Sequence, residues 1–215
     1  MKLKKVFLFV FFIVTSLSFS LSFKEISESK SEKNYSYNIK LPLIDIPTND
    51  YQKDFNSSML AMKEKRIHSI LEELKELNDL TFALETQVTY ELFQSEIGID
   101  SILVTNYIYS GGAHGSTFLS VFNLDSKTGE SIPLNKIISP EGIEYITKTI
   151  QEEINMNLNE KYFNNATVIL DDSYIYFDKD MLEVIFPQYS IAPYSSGMPK
   201  FTFNLKDLKK FLLIN

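Results

Sequence analysis

The sequence predicts an α+β fold: an antiparallel sheet packed by two main helices, preceded by a signal peptide. Three observations carry this. Apolar residues recur at three- and four-residue spacing over 50–78 and again after 139. Between and after these stretches the pattern alternates with period two. The alternating runs are joined by short, turn-like segments, which favours antiparallel pairing.

Residues 1–22 read as the leader. Met1-Lys2-Leu3-Lys4-Lys5 is basic and Val6 to Val14 is purely apolar. Small residues at Ser18 and Ser20, or at Ser20 and Ser22, suit the two positions a signal peptidase reads. The run 6–23 is close to spanning length, so a retained membrane anchor is the alternative. The polar Thr15, Ser16, Ser18, Ser20 and Ser22 favour cleavage, and no cysteine follows to carry a lipid. The expected location is therefore periplasmic or extracellular. Without Lys2, Lys4 and Lys5, the 21 basic residues fall to 18 against 28 acidic ones, a net charge of −10. Such a balance argues against nucleic acid, and against a membrane surface once the leader is gone. An exported chain without cysteine has no disulfides, so packing alone must hold it.

Residues 23–34 are rich in Ser, Lys and Glu and read as a solvated linker. The N-terminal half, 35–136, is expected to hold a strand, a long helix and a three-stranded meander. The first strand is 35–41, with Pro42 and Pro47 confining residues 42–48 to an edge or a turn. The long helix starts at Asn49 or Asp50 and buries Phe55, Met59, Met62, Ile67, Ile70, Leu71, Leu74 and Leu77. His68 reads as a surface residue of that helix. The meander runs 84–92, 101–109 and 116–124, with Ile97-Gly98-Ile99-Asp100 and Asp125–Glu130 as turns. The C-terminal half, 137–215, begins with a helix opened by Ser139-Pro140-Glu141 and striped by Ile143, Ile146, Ile150 and Ile154. Strands are expected at 167–170, 174–177, 182–186 and 200–204, then a closing helix over 205–213.

Chemistry concentrates in two places. Tyr109-Ser110-Gly111-Gly112-Ala113-His114-Gly115 joins two strands, with three glycines around one of only two histidines. Gly111 and Gly112 can take backbone angles closed to other residues, so this reads as a bend with His114 bonded across it. A binding surface is the other reading, and a triad of His114 with Ser110 or Ser116 and a carboxylate is a third. The second place is Gln188 to Pro199, where Tyr189, Pro193 and Tyr194 offer rigid amphipathic contact area or cover a sheet edge. The acid pairs at Asp171-Asp172 and Asp178/Asp180 sit where turns need them. There is no G-x-S-x-G elbow, no phosphate-binding Gly-Lys-Ser/Thr loop and no paired-histidine zinc signature, so neither cofactor nor metal is expected.

Three motifs in order resemble a known family. They are Tyr107-Ile108-Tyr109-Ser110-Gly111-Gly112-Ala113-His114-Gly115, then Phe122-Asn123-Leu124-Asp125 through Thr128-Gly129 to Leu134, then Tyr189-Ser190-Ile191-Ala192-Pro193-Tyr194 with Gly197. The family is the extracytoplasmic domain of unknown function shared by RsiV-type anti-sigma factors and PdaC-type peptidoglycan deacetylases, where it is accessory rather than catalytic. The resemblance spans about Tyr35 to Leu213. It implies an α+β fold outside the membrane, and its RsiV-type members bind lysozyme through this domain. Only Met1–Lys5 precedes the apolar run, and no deacetylase domain follows within the sequence. Neither sigma-factor signalling nor deacetylation is therefore expected. The expected function is a non-enzymatic envelope binding module whose partner is a lysozyme-like protein or peptidoglycan. Its expected contact residues are Tyr109, Gly111, Gly112, His114, Tyr189, Pro193 and Tyr194. An envelope glycan enzyme or accessory subunit using His114, and a structural envelope protein, are the alternatives.

Overall fold

A computed structural model describes residues 21–77, 81–158 and 161–214. The expected leader lies outside these residues except for Leu21 and Ser22. Ser22 already belongs to the fold, since its carbonyl accepts from Asp45 N at 2.9 Å.

The fold is α+β, but it has two sheets. The first contains β1 (Phe23–Ser31), β2 (Tyr35–Ile44), β3 (Leu84–Gln94), β4 (Ile99–Tyr109) and β5 (Ser116–Asp125), in that order. Residues 23–34, expected as a linker, thus hold a strand. β1 pairs antiparallel with β2 from Phe23↔Ile44 to Ser31↔Ser36. Polar residues on an edge strand protect it from wrong pairing, and this composition hid β1 from the pattern. Lys63 fastens it to the helix through Glu28 at 2.8 Å.

The sheet is mixed, not purely antiparallel. β2 and β3 are parallel, Tyr35↔Leu84 to Ile39↔Val88, because α1 (Asp50–Glu76) carries the chain back between them. The meander β3–β4–β5 is antiparallel, as its short loops require. Pro42 sits inside β2 because β3 pairs only as far as Ile39. Beyond that point the side-chain amide of Asn56 takes over, bonding both Ile44 N and Ile44 O at 2.8 and 2.9 Å.

α1 starts at an Asn49 cap, which accepts from Gln52 N. It buries Phe55, Met59 and Ile70 on the first sheet, with Met62, Ile67, Leu71 and Leu74 half-covered. Leu77, expected in the stripe, is exposed past the end of the helix. His68 is on the surface, 3.9 Å from Glu72.

After a short α2 (Leu134–Ile137), α3 (Pro140–Met156) begins at its Ser139 cap. Ile146, Ile150 and Ile154 are buried in one cluster with Phe177, Leu182, Val184 and Phe201 of the second sheet. That sheet is β6 (Tyr174–Asp178), β7 (Met181–Ile185) and β8 (Lys200–Asn204), all antiparallel. Each long helix therefore has its own sheet, where one shared sheet was expected. The expected strand 167–170 is instead a stretch ending in a single 3-10 turn, Leu170–Asp172. Gln151 of α3 supplies its partners, accepting from Val168 N at 2.9 Å and donating to Ala166 O at 3.1 Å. The expected closing helix is turns with one 3-10 segment, Lys209–Phe211. Its end extends to pair with the approach to α3: Leu213 N donates to Ile137 O and Ser139 N to Phe211 O, each at 2.8 Å.

The sheets meet where β6 lies against β3, β4 and β5. Ser101 is 1% exposed there. Its hydroxyl accepts from Phe177 N at 3.0 Å and donates to Asn123 Oδ1 at 2.6 Å. Asn123 Nδ2 donates to Ile175 O at 2.9 Å. Phe93 stacks on Tyr176 with ring centroids 4.6 Å apart. Ser101→Ala should leave Phe177 N–H buried and unpaired, costing about 1–3 kcal/mol. Urea unfolding of the two proteins measures this, with a lowered midpoint and unchanged slope expected.

Candidate functional site

The candidate residues belong to two connections that come together. The first is the six-residue link between β4 and β5. Gly111 and Gly112 have φ of 98° and 88°, in the left-handed region. Gly111 is required for a second reason: a Cβ there would lie 2.5 Å from the ring of Phe82. Gly115 is required by space alone, since a Cβ would meet the Tyr107 ring at 2.5 Å and Ile108 O at 2.6 Å. Tyr109 closes the bend, its hydroxyl donating to Gly112 O at 3.0 Å and its ring edge-on to Phe82. This geometry leaves His114 exposed at the tip.

The second connection joins β7 to β8. Ile191 and Ala192 are buried and anchor it to the α3 core. Phe163 N donates to Ile191 O at 3.0 Å. The half-buried Pro193 then leads into a single 3-10 turn, Tyr194–Ser196, which Gly197 ends with φ of 69°. Tyr189, just before the anchor, has φ of 66°, which is strained for a residue with a side chain. It is held there with the residue 54% exposed.

His114, Tyr189 and Tyr194 meet. The imidazole stacks on Tyr194 with centroids 3.6 Å apart and planes within 12°. Its Nε2 lies 3.2 Å from Tyr189 Oη, and its Nδ1 lies 3.0 Å from Gly115 O. A carbonyl only accepts, so Nδ1 carries a proton. In the neutral ring Nε2 then accepts from the Tyr189 hydroxyl. The two tyrosine rings are 5.9 Å apart. Gln188 ties the connections together, its Oε1 accepting from Thr117 N at 3.1 Å.

Of the seven expected contact residues, three form this ring cluster. Gly111, Gly112 and Tyr109 shape the bend beneath it, and Pro193 sets up Tyr194. Gln188 and Tyr107, named in the sequence segments but not among the expected contact residues, and Phe82, which no segment included, complete the arrangement. Gln188 adjoins Tyr189 in sequence, but nothing marked its partner. Phe82 is a lone aromatic ahead of β3, with no pattern to flag it. Neither Ser110 nor Ser116 hydrogen-bonds His114. The partners of its two nitrogens are a carbonyl and a phenol. Among the described residues no group of three or more His, Asp or Glu is placed to hold a metal.

A second polar cluster went unforeseen, because it arises only from strand register. Lys200 Nζ lies 3.3 Å from both Tyr176 Oη and Glu183 Oε1. Thr202 donates to Glu183 Oε2 at 2.6 Å. Burial raises the Tyr176 pKa, against the pull of Lys200. Burial also opposes the charge on Lys200, but its bonds to Tyr176 and Glu183 outweigh this and raise its pKa.

The geometry defines a class: an α+β domain with a mixed and an antiparallel sheet, presenting an aromatic cluster from two loops. Comparison with known proteins sharpens this. A family described as deacetylase PdaC matches residues 26–117, and one described as a protein of unknown function, DUF3298, matches residues 135–206. The chain is thus similar to the first family over its N-terminal part and to the second over its C-terminal part; the first and third of the three motifs fall within these matches and the second falls between them. His114 lies in the first match and Tyr189 and Tyr194 in the second. No curated protein matches the chain. A DUF3298 family member from Bacteroides fragilis NCTC 9343 shares the fold at a TM-score of 0.60 and 15% identity, over 89% of this chain and 93% of that one. A DUF3298 family protein from Pseudomonas aeruginosa PAO1 does so at 0.57 and 15%, over 89% and 94%.

Gly111→Ala should cost about 1–2 kcal/mol from left-handed backbone alone, and more from displacement of Phe82. Thermal unfolding checks this, with a melting point below that of Ala113→Gly as the expected order.

Proposed function

We propose that this protein is an exported, non-enzymatic binding module of the cell envelope. Its ring cluster is the contact surface, and its partner is a lysozyme-like protein or a cell-wall component. The observation that carries the reading is the backbone of Tyr189. A side-chain-bearing residue held at φ of 66° costs folding energy, yet what it achieves is an exposed phenol beside a stacked His114–Tyr194 pair. Rigid aromatic groups with polar tips lose little entropy on contact and dominate the energetics of binding surfaces.

Charge and resemblance narrow the partner. Removal of the leader leaves a net charge of −10, which favours a basic partner. Many lysozymes are basic, and the RsiV-type proteins that this chain resembles bind lysozyme. The location is an inference from the leader, and from the same resemblance.

Calorimetric titration with a c-type lysozyme tests the proposal. Binding is expected at tens of micromolar or tighter, and Tyr194→Ala should weaken it at least tenfold with little change in melting point. No heat at that concentration sinks the lysozyme version and leaves sedimentation with purified peptidoglycan as the deciding assay. Equal losses of binding and stability would make Tyr194 a core residue. Turnover of a peptidoglycan substrate that vanishes in His114→Ala would make the protein an enzyme instead.

A further inference from the structure

Asp100 is the one residue among those described with a buried side-chain oxygen that lacks a hydrogen-bond partner. It is 5% exposed, near the start of β4. Its Oδ1 accepts from Ser126 Oγ at 3.0 Å, while Oδ2 has nothing. No cation of the described residues forms an ion pair with it. Among the described residues, the charged group that acts on it is Asp125, of the same sign. Burial is the main cause of a raised pKa here. Ser126 pulls the other way, and Asp125 adds to the rise. Leaving a charge buried and unpaired is among the costlier arrangements a fold can hold. Native proteins seldom keep one without a use for it.

Asp100 is one wall residue of a cavity of about 330 Å³ that is also lined by Leu21, Phe23, Leu92, Phe93 and Ile102. Its lining is mostly apolar. The chain enters the fold here. Ser22 O is held by Asp45 N, and the Leu21 side chain lies close enough to Gly129 that a Cβ there would be 2.8 Å away. The sequence places the two signal-peptidase positions at Ser18 and Ser20, or at Ser20 and Ser22. Cleavage would therefore make either Leu21 or Phe23 the first residue. Both line the cavity that Asp100 lines.

We propose that this cavity binds the α-ammonium group of the mature chain, generated at Leu21 or Phe23 by removal of the leader. The proposal rests on the leader reading. Hydrolysis of the Ser20–Leu21 or Ser22–Phe23 peptide bond by a signal peptidase adds one water. It leaves a carboxylate on the released leader and an amine on the chain, which takes up a proton at neutral pH. The uncut chain has an amide at that point and no charge to offer. Cleavage supplies a cation beside the unpaired carboxyl group, so the fold gains this ion pair only after export. Before that, the unpaired Asp100 keeps the chain less stable, which suits a polypeptide that must cross a membrane unfolded.

The test compares proteins beginning at Leu21 with a free and with an acetylated α-amine, each with Asp100 and with Asp100→Asn. With Asp100, the free amine should raise the melting point by on the order of 5 °C. With Asp100→Asn that gap should close. Equal melting of the two Asp100 forms overturns the site, as does a gap that survives the substitution. Carboxyl NMR titration gives a second readout without any substitution: the free amine should hold Asp100 ionised to lower pH than the acetylated form does. Coincident titration curves overturn the site. The mass of the exported protein tests the leader separately. A first residue of Leu21 or Phe23 supports the maturation role, and a retained leader overturns it whatever the purified proteins show.

Discussion

A short hydroxyl–amide relay fixes how the two sheets meet, and the meeting of the two loops that carry His114, Tyr189 and Tyr194 depends on it. Ser101 on β4 holds Phe177 N, Asn123 on β5 holds Ile175 O, and the two side chains bond to each other. These bonds lock β6 across the first sheet at one register. The register of β6 fixes β7, and β7 delivers the chain into the connection that carries Tyr189 and Tyr194. A different crossing of β6 would leave His114 at the tip of its bend with nothing to stack on. Most of the interface is apolar, as in the Phe93–Tyr176 stack, and apolar contact alone sets no register. Directional bonds from buried polar groups set it, because misplacing them costs the full desolvation of each group.

The helices and the meander were legible in the sequence, because local signals decide them. Asn49 and Ser139 cap their helices as their side chains dictate, and the apolar spacing of 50–76 and 140–156 matches helical period. β1 was not legible, because an edge strand needs few apolar residues and gains from charge. The parallel pairing of β2 with β3 comes from the route of α1, which no local pattern records. The stretch 167–170, Thr-Val-Ile-Leu, has the residue types of a strand, but Gln151 satisfies it in place of a neighbouring strand. The closing helix lost to a competing pairing with Ile137 and Ser139, far away in sequence.

The site divides along the same line. His114, Tyr189 and Tyr194 were each visible as residues, since glycines and prolines mark irregular backbone around them. Their meeting was not visible, because it spans 75 residues and depends on the sheet crossing. The Glu183–Lys200–Tyr176 cluster was invisible for the same reason: only register places these three side chains on one face.

A cluster assembled from both regions has a thermodynamic consequence. The first region contributes His114 and the second contributes both tyrosines, so the ring cluster exists only while the two sheets are docked. A partner that recognises the stacked rings binds the docked state and not a state with the sheets apart. It must therefore stabilise the docking by the free energy of its own binding. The strained backbone of Tyr189 belongs to the same balance. Its cost falls on the docked state, where the Tyr189–His114 bond and the anchor at Ile191 and Ala192 hold it in place. A partner bound to this cluster would thus act on the joint between the sheets, because that joint determines the position of both loops.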